Sequence, residues 1–576
     1  MDTALKIILR KNTMYNKIDP VSLEIIWQRL VSIADEMDNS TIRTSFSTIV
    51  GESHDFGCVL MDEMGNGLSQ AVWSPPQFCT MLPRTTRIII DKFKIENIYE
   101  GDVFITNDPW IGSTHLPDYN LISPVFYKSE IVAFVGTVAH VSDVGGHLGD
   151  LEASDMFMEG LRVMPNKFYN KGKINEIIEE FISHNCRVPD LVMGDLKAIV
   201  GTHKIAKTKI IELHIDNKLN NLKDVSKQIR NLSTKVLEDK INLIPDSETN
   251  YEIKCDGYLE EFILKLKMII KGKNLIFDFT GSSDQQWHSA INAAYSISYA
   301  TLVYPVKCML AAKIPNNDGL IVPIKMIAPE GSIVNCTFPA PVKARAKVIK
   351  HIPPLVFGAF QSILPKEVIS SAGGIFPIHF VGKTLEEKQF AVHMLPHGGL
   401  GAMYNSDGKY PSAYPHNSIV TPTEIIETKC PVRVESKEII KNSCGAGKFR
   451  GGPGQKIVFK NIGTNIIKLT IRPDMIKYPA TGLNGGISGL KGSVLLNNKI
   501  INDFKPIDWN PNDTVTLIVP GGGGYGDVKM RNKINIINDV INDIIDIKEA
   551  KLIYNYDIDK KEIDTIINER ISTYLK

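Results

Sequence analysis

Helical hydropathy periodicity confined to a few stretches, short β-branched runs bounded by glycine and proline elsewhere, and no low-complexity linker between them imply a mixed α/β chain. The expected fold is of the α+β kind, with several intertwined β-rich subdomains and a helical section. Leu23, Ile26, Leu30, Ile33 and Met37 recur at spacings of three and four, so Val21 to Asp38 reads as a helix entered at Asp19-Pro20. Gly57 to Pro83 turns to short strands, with a hairpin turn at Asp62-Glu-Met-Gly-Asn-Gly. Val103 to Thr106 and Ile131 to Ala139 are β-branched-rich runs that read as buried strands.

Ile174 to Ser183 has helical character, and so does Val192 to Asn231, where Leu196, Ile199, Ile205, Ile210 and Leu213 mark one face. The second stretch implies one long helix or a helical hairpin. Ser247 to Phe279 returns to strands, as in the alternation of Phe262-Ile-Leu-Lys-Leu-Lys. Ala293 to Lys313 reads as a buried helix, and the remainder to Pro520 as glycine- and proline-rich short strands. The tail from Asn532 is helical, polar and peripheral in expectation. These shifts divide the chain into an N-terminal extension (1–18), an α/β region with the helical section (19–245), a β-rich, glycine-rich region (246–530) and a helical tail (531–576).

The chain has 576 residues, enough for about three domains or one composite one. Its 43% hydrophobic and 22% charged residues are ordinary for a globular protein. With 65 basic and 64 acidic residues the net charge is +1, which leaves no footprint for nucleic acid or an anionic membrane. No window approaches ~18 uninterrupted apolar residues, so no spanning helix is expected. The apolar start, Met1 to Arg10, is shorter than a secretion signal and reads as an extension. The eight cysteines are scattered without any CxxC pair, which excludes a zinc ribbon or a thioredoxin-type motif and points to reduced thiols in the cytoplasm.

Three histidines and three aspartates crowd between Asp108 and His147. Asp108, His115 and Asp118 follow the run 103–106, while His140, Asp143 and His147 close or follow the run 131–139. If both runs are neighbouring strands of one sheet, the two clusters meet at one edge. Packed carboxylates need a cation or a proton. Mixed imidazole and carboxylate donors suit Mn, Zn or Fe better than Ca or Mg. Two histidines and one carboxylate leave room for water and substrate, and His115, Asp118 and His140 are the leading set. Asp108, Asp143 and His147 then orient the ligands or stand in for them. Arg162 is a candidate fork for a substrate carboxylate, or an ion-pair partner. Asp55 is a candidate acid, base or support to the ligands.

The string from Cys444 to Gly454 lacks the Gly-x-x-x-x-Gly-Lys-Ser/Thr pattern, since Phe449 follows Lys448. Gly521 to Gly524 lacks the strand–helix setting of a dinucleotide site. Both imply tight backbone packing first. A loop that meets an oxyanion or phosphate is the alternative, with Arg450 as its cation.

The strings Gly-Ser-Thr-His-Leu-Pro-Asp at 112–118 and Ala-His-Val-Ser-Asp-Val-Gly-Gly at 139–146 resemble the hydantoinase B/oxoprolinase family. Further matching strings run from Asp55-Phe56-Gly57-Cys58 through Glu159-Gly160-Leu161-Arg162 and Asp278-Phe279-Thr280-Gly281-Ser282 to the stretch 520–527. The resemblance spans about Asp19 to Tyr556. It implies the metal-bearing subunit of an ATP-dependent cyclic-amide hydrolase, opening a hydantoin or lactam ring after phosphate activation. In the carboxylase branch of the family the metal is held by the residues that correspond to His115, Asp118 and His140. The resemblance places ATP on a separate hydantoinase A-type ATPase subunit. Val141 stands where the family usually has a second histidine, Val528 where it often has proline, and the stretch 52–55 lacks the usual arginine.

The expected mechanism is attack of metal-activated water on the phosphorylated substrate, with Asp143 moving protons and Asp108 and Arg162 assisting. Two alternatives remain at this level: the core subunit of an ATP-dependent ketone carboxylase, and a metal-stabilised scaffold that only assembles its ATPase partner.

Overall fold

In the computed structural model the described residues are 18–147, 151–219, 222–415 and 419–574. The expected N-terminal extension lies outside them except for its last residue. Asp19 accepts hydrogen bonds from the backbone N–H of Val21 and Ser22 and so caps α1 (Pro20–Thr44), whose proline sits where a helix needs no donor.

The site is carried by a seven-stranded antiparallel sheet. Its strands are β1 (Phe56–Asp62), β2 (Gly67–Gln70), β3 (Val103–Thr106), β4 (Asp118–Tyr127), β5 (Glu130–His140), β6 (Asn166–Asn170) and β7 (Lys173–Ile174). Their spatial order is β2-β1-β5-β4-β3-β6-β7. Side chains alternate across a strand, so Cys58, Leu60, Leu121 and Val135 face one way and Val59, Met61, Ile122 and Phe134 the other. The first face packs on α1, and the second on α3, Pro76–Phe93, with the single helical turn α2 (Thr48–Gly51) beside the first. Helices on both faces explain why β4 and β5 are buried over most of their length although the sheet is antiparallel.

The expected strands at 103–106 and 131–139 are both present, but β4 lies between them. Polar residues and Pro124 break its hydropathy pattern, and their polar atoms find partners inside: Asn120 donates to Ser113, and Ser123 meets a buried histidine. The stretch 57–83 is strand only at first, because Pro75-Pro76 opens α3. The helical section is a succession of three helices, α4 (Glu176–His184), α5 (Pro189–Asp216) and α6 (Lys223–Asn242). On α5 the buried face runs Leu196, Ile199, His203, Ala206, Ile210 and Leu213, whereas Ile205 is 40% exposed. Ile205 is one residue off the helical period, so the core position belongs to Ala206.

Beyond it, β8 (Ser247–Cys255), β9 (Phe262–Lys271), β10 (Asn274–Asp278) and β11 (Ile324–Ile327) form a four-stranded sheet. The buried helix α7 (Tyr295–Leu310) packs on α3. The helical turn α8 (Ala346–Ile349) and α9 (Ile352–Phe360) interrupt the expected run of short strands, and α9 begins at a Pro-Pro pair. Two further sheets follow. One contains β12 (Ile378–Lys383), β13 (Gln389–Met394) and β16 (Ile467–Ile471); the other contains β14 (Val432–Ile439), β15 (Gln455–Asn461) and strands up to Val519. The tail helices bury their own small core around Ile536, Ile537 and Ile544. No helix among the described residues is long and apolar enough to cross a membrane.

Candidate metal centre

Three neighbouring strands bring four acidic or imidazole side chains to one sheet edge. Asp118 opens β4 and is the cross-strand partner of His140, which closes β5. Asp55 immediately precedes β1, and its carbonyl accepts the backbone N–H of His140 at 3.0 Å. His115 sits in the turn before β4. Asn107 fixes that turn, donating to the carbonyls of Leu116 and Leu161 and accepting from the N–H of Val163. Gly112 lets the turn lie on α3, since a Cβ there would be 1.7 Å from the Thr85 hydroxyl.

His115 Nε2 is 3.1 Å from Asp118 Oδ1 and 3.2 Å from His140 Nδ1, and Asp118 Oδ1 is 3.3 Å from His140 Nδ1. All three residues are buried. Nitrogen and oxygen donors bound to one ion at about 2.0–2.2 Å must stand roughly 3–3.5 Å apart. The donor triangle meets that requirement, and among the described residues no other such group forms. His115 Nδ1 lies 2.9 Å from the Lys343 carbonyl and 3.0 Å from Arg345 Nη1; the tautomer that donates Nδ1–H to the Lys343 carbonyl is the one that leaves the Nε2 lone pair facing the triangle. Asp118 Oδ2 is held by the Thr114 hydroxyl and by Arg345 Nη2 at 3.3 Å.

The charge states fit the same use. Burial, aided by Arg345, pushes the His115 imidazole down to about 3, so it is neutral at pH 7. Burial works against the Asp118 carboxylate, but the charge of Arg345 and the hydrogen bonds that reach it hold Asp118 well below the usual carboxylate range. Burial pushes the Asp55 carboxyl up, against the pull of His140. A neutral imidazole such as His115 and an ionised carboxylate such as Asp118 are forms that bind a divalent cation.

Two cavities border this triangle. One is lined by Asp55, His115 and His140 together with Phe78, Ile297, Arg345 and Lys350. The other is lined by His115, His140, Val141, Asp143, Arg187 and His379. His393 and Arg472 line both. The His393 ring stacks on His140 with centroids 5.7 Å apart and on His379 at 4.0 Å.

Of the residues singled out from the sequence, His115, Asp118 and His140 converge and Asp55 Oδ2 lies 3.5 Å from His140 Nδ1. Asp143 borders the second cavity, with both carboxylate oxygens engaged by Arg187. Asp108 and Arg162 pair with each other. Asp108 is fully buried and also caps the turn through the N–H of Trp110, while Arg162 lies over the Phe338 ring at 4.5 Å. Neither lines the two cavities. The His147 side chain is exposed, with its backbone N–H on the Met158 carbonyl. The Arg450 guanidinium is spent on Asp539 and the carbonyls of Gly408 and Gly451.

Sequence reasoning missed Arg345, Lys347, Lys350, Arg472 and His393. A signal was available for three of them: five basic residues between Lys343 and His351 sit among alanine, valine and isoleucine, an unusual density of charge in an apolar stretch. Arg472 and His393 carry no local signal.

The sequence pattern of the family described as Hydantoinase B/oxoprolinase matches residues 19–528. A protein of Pseudomonas sp. (strain NS671), named as the putative B component of a D-/L-hydantoinase, is 30% identical, with 96% of this chain and 98% of that protein covered. The crystal structure of an ATP-dependent caprolactamase from Pseudomonas jessenii superposes with a TM-score of 0.87 at 23% identity, covering 95% of this chain and 98% of that one. The nucleotide-free structure of an acetone carboxylase gives 0.84 at 16% identity, over 97% and 83% of the two chains. The likeness to these two structures is one of fold.

Proposed function

The chain belongs to the hydantoinase B/oxoprolinase family, and from that membership we propose that it is the metal-bearing, hydrolytic subunit of an ATP-dependent cyclic-amide hydrolase. The observation that carries the reading is the buried triangle of His115, Asp118 and His140, whose donors stand 3.1–3.3 Å apart. The substrate class is a hydantoin or lactam. Its amide carbonyl is a poor electrophile until its oxygen is phosphorylated, and we assign that ATP-dependent step to a separate hydantoinase A-type subunit. Two things support the division. The relative matched end to end is named as one component of a hydantoinase, and the glycine-rich strings of this chain have no phosphate-loop pattern.

A divalent ion of Mn, Zn or Fe, which His115, Asp118 and His140 would hold, would supply Lewis acidity toward the acyl oxygen and toward water. The protein's own groups do the rest. Lys343 fixes the His115 ring through its carbonyl, and Thr114 and Arg345 fix the Asp118 carboxylate, so the donors are preorganised before substrate arrives. Asp55, beside His140 and open to the first cavity, is placed to take a proton from the water that adds to the phosphorylated carbon and to return it to the ring nitrogen; expulsion of that nitrogen opens the ring as an acyl phosphate, and a second water then releases inorganic phosphate and leaves the carboxylate. Asp143 is less suited to that task, because Arg187 holds both its oxygens. Apolar side chains such as Phe78 and Ile297 give the ring a dry surface. Seven described cysteines are free thiols, which agrees with a cytoplasmic setting.

The test is ring opening by the purified subunits with ATP. We expect turnover of a lactam or hydantoin that requires both subunits and drops by about a thousandfold or more in His115→Ala and His140→Ala. Wild-type turnover in those variants would sink the assignment. Labelled bicarbonate appearing in the product would replace it with the carboxylase reading.

A further inference from the structure

One wall of the first cavity holds a buried concentration of positive charge, of which only Arg345 serves the metal ligands, through Asp118. Arg345 stands just before α8, Lys347 lies within it, Lys350 follows it, and Arg472 follows β16; all four line that cavity with His115 and His140. Lys347, Lys350 and Arg472 are each less than a tenth exposed. We propose that this wall is a phosphoryl subsite: Arg345, Lys347, Lys350 and Arg472 grip the phosphoryl group of the activated substrate while its ring lies beside the metal ligands. The inference rests on the cyclic-amide reading and adds the residues that recognise the activated species.

Positive charge is in excess at this wall. Asp474 is shared by three basic groups: Lys350 Nζ at 2.7 Å, Lys347 Nζ at 3.8 Å and His351 Nε2 at 2.9 Å. One carboxylate neutralises one ammonium, so the second lysine is surplus. Arg345 reaches Asp118, but that carboxylate already serves the donor triangle, and the Arg345 Nε is buried without a hydrogen-bond partner. Buried cations in excess are costly until an anion joins them. The Lys347 ammonium shows the strain, since burial pushes it down to about 8. A divalent ion at the triangle adds to the excess.

The same cavity is also lined by the apolar side chains of Phe78, Ile297, Ile349, Ile375 and Leu395. A small ring carrying a phosphoryl dianion matches this mixed lining. A dianion answers the surplus better than a carboxylate, and its three acceptor oxygens suit two guanidinium forks and two ammoniums.

The probe is inorganic phosphate, titrated by calorimetry into the metal-loaded complex of the chain with its ATPase partner held in a nucleotide-free buffer, with metal content measured on each sample. We expect binding at this subsite that weakens about tenfold or more in Arg472→Gln and in Lys350→Gln, returns in part with Arg472→Lys, and is not displaced by acetate at equal ionic strength. Should Lys350→Gln fail to fold for want of its Asp474 bond, Arg472→Gln decides alone. Equal phosphate affinity in wild type and a folded Arg472→Gln, or displacement by acetate, overturns the inference. A sample that keeps its metal and its ring opening while showing that result leaves the cyclic-amide reading standing. A wild-type sample that carries no metal at the triangle overturns that reading, whatever phosphate does.

Discussion

Asp118 has the most demanded carboxylate of the site. One oxygen faces both imidazoles and the other takes Thr114 and Arg345. Such a buried charge holds its place only while all its partners do, so the turn that delivers His115 and Thr114 must be rigid. Asn107 supplies that rigidity with three hydrogen bonds to the backbone of the turn and of 161–163. Asn107→Ala is therefore expected to lose about 2–4 kcal/mol of stability and to lower metal occupancy, read by thermal unfolding and by metal per chain. Retained occupancy with an unchanged melting temperature would show that the turn is held by other contacts. The triangle itself was legible in the sequence, because its members fall in two dense strings and the family resemblance selects them from six candidates. Arg345, Arg472 and His393 were not. They reach the site across more than two hundred residues of chain, and no spacing rule encodes such an approach. Asp108 and Arg162 looked chemical for the same reason they are structural: a buried aspartate and its arginine clasp the turn that carries His115.

The pairing of β4 with β5 sets Asp118 opposite His140, so a slip of one residue would separate them. Both faces of this sheet are apolar, and hydrophobicity alone specifies register poorly there. A polar pin does it instead. His203 of α5 meets the Ser123 hydroxyl on β4 through Nδ1 at 2.9 Å and the Thr137 hydroxyl on β5 through Nε2 at 3.0 Å. His203→Leu leaves both hydroxyls buried without their partner and should cost about 1–3 kcal/mol. The pin also gives a pH signature. Burial pushes His203 down to about 3, so the unfolded chain binds the proton first, and the stability from this group is lost as pH falls from about 6.5 toward 3. The melting temperature of His203→Leu should fall less steeply over that window than that of the wild type. A parallel fall in both would remove His203 as the acid-sensitive element. The glycine strings behave as the pattern test implied. Gly522 and Gly523 donate backbone hydrogen bonds to the carbonyls of Gly452 and Ser371, and a Cβ at Gly522 would sit 2.3 Å from the Leu400 carbonyl. Gly522→Ala is expected to lose more than about 3 kcal/mol, seen as loss of folded yield. The sequence made the strands at 103–106 and 131–139 visible through their β-branched runs. It hid β4, whose polar residues are satisfied only by tertiary partners.

Across the whole molecule the site is a junction. The candidate metal ligands come from the seven-stranded sheet and the turn that leads into it. The cationic wall comes from the α8 segment and the end of β16, and His393 comes from β13. The mixed α/β class and the order of strand-rich and helical stretches could be read from hydropathy. How the later sheets fold back over the first could not, because it depends on packing between distant segments such as α3 and α7. The tail helices do more than cover a surface: Asp539 binds both Arg450 and Arg531 inside the protein. In the proposed division, ring opening falls to this chain and ATP cleavage to its partner. Stripping the metal from the purified complex should then abolish ring opening while the chain stays folded, with re-addition of Mn, Zn or Fe restoring it. The most direct measurement is metal stoichiometry by elemental analysis of the wild-type complex and of its His140→Ala variant, made alongside ring-opening turnover. One ion per chain in the wild type, with neither ion nor turnover in a folded His140→Ala, is the expected result. An equal metal content and equal turnover in the two proteins would contradict it.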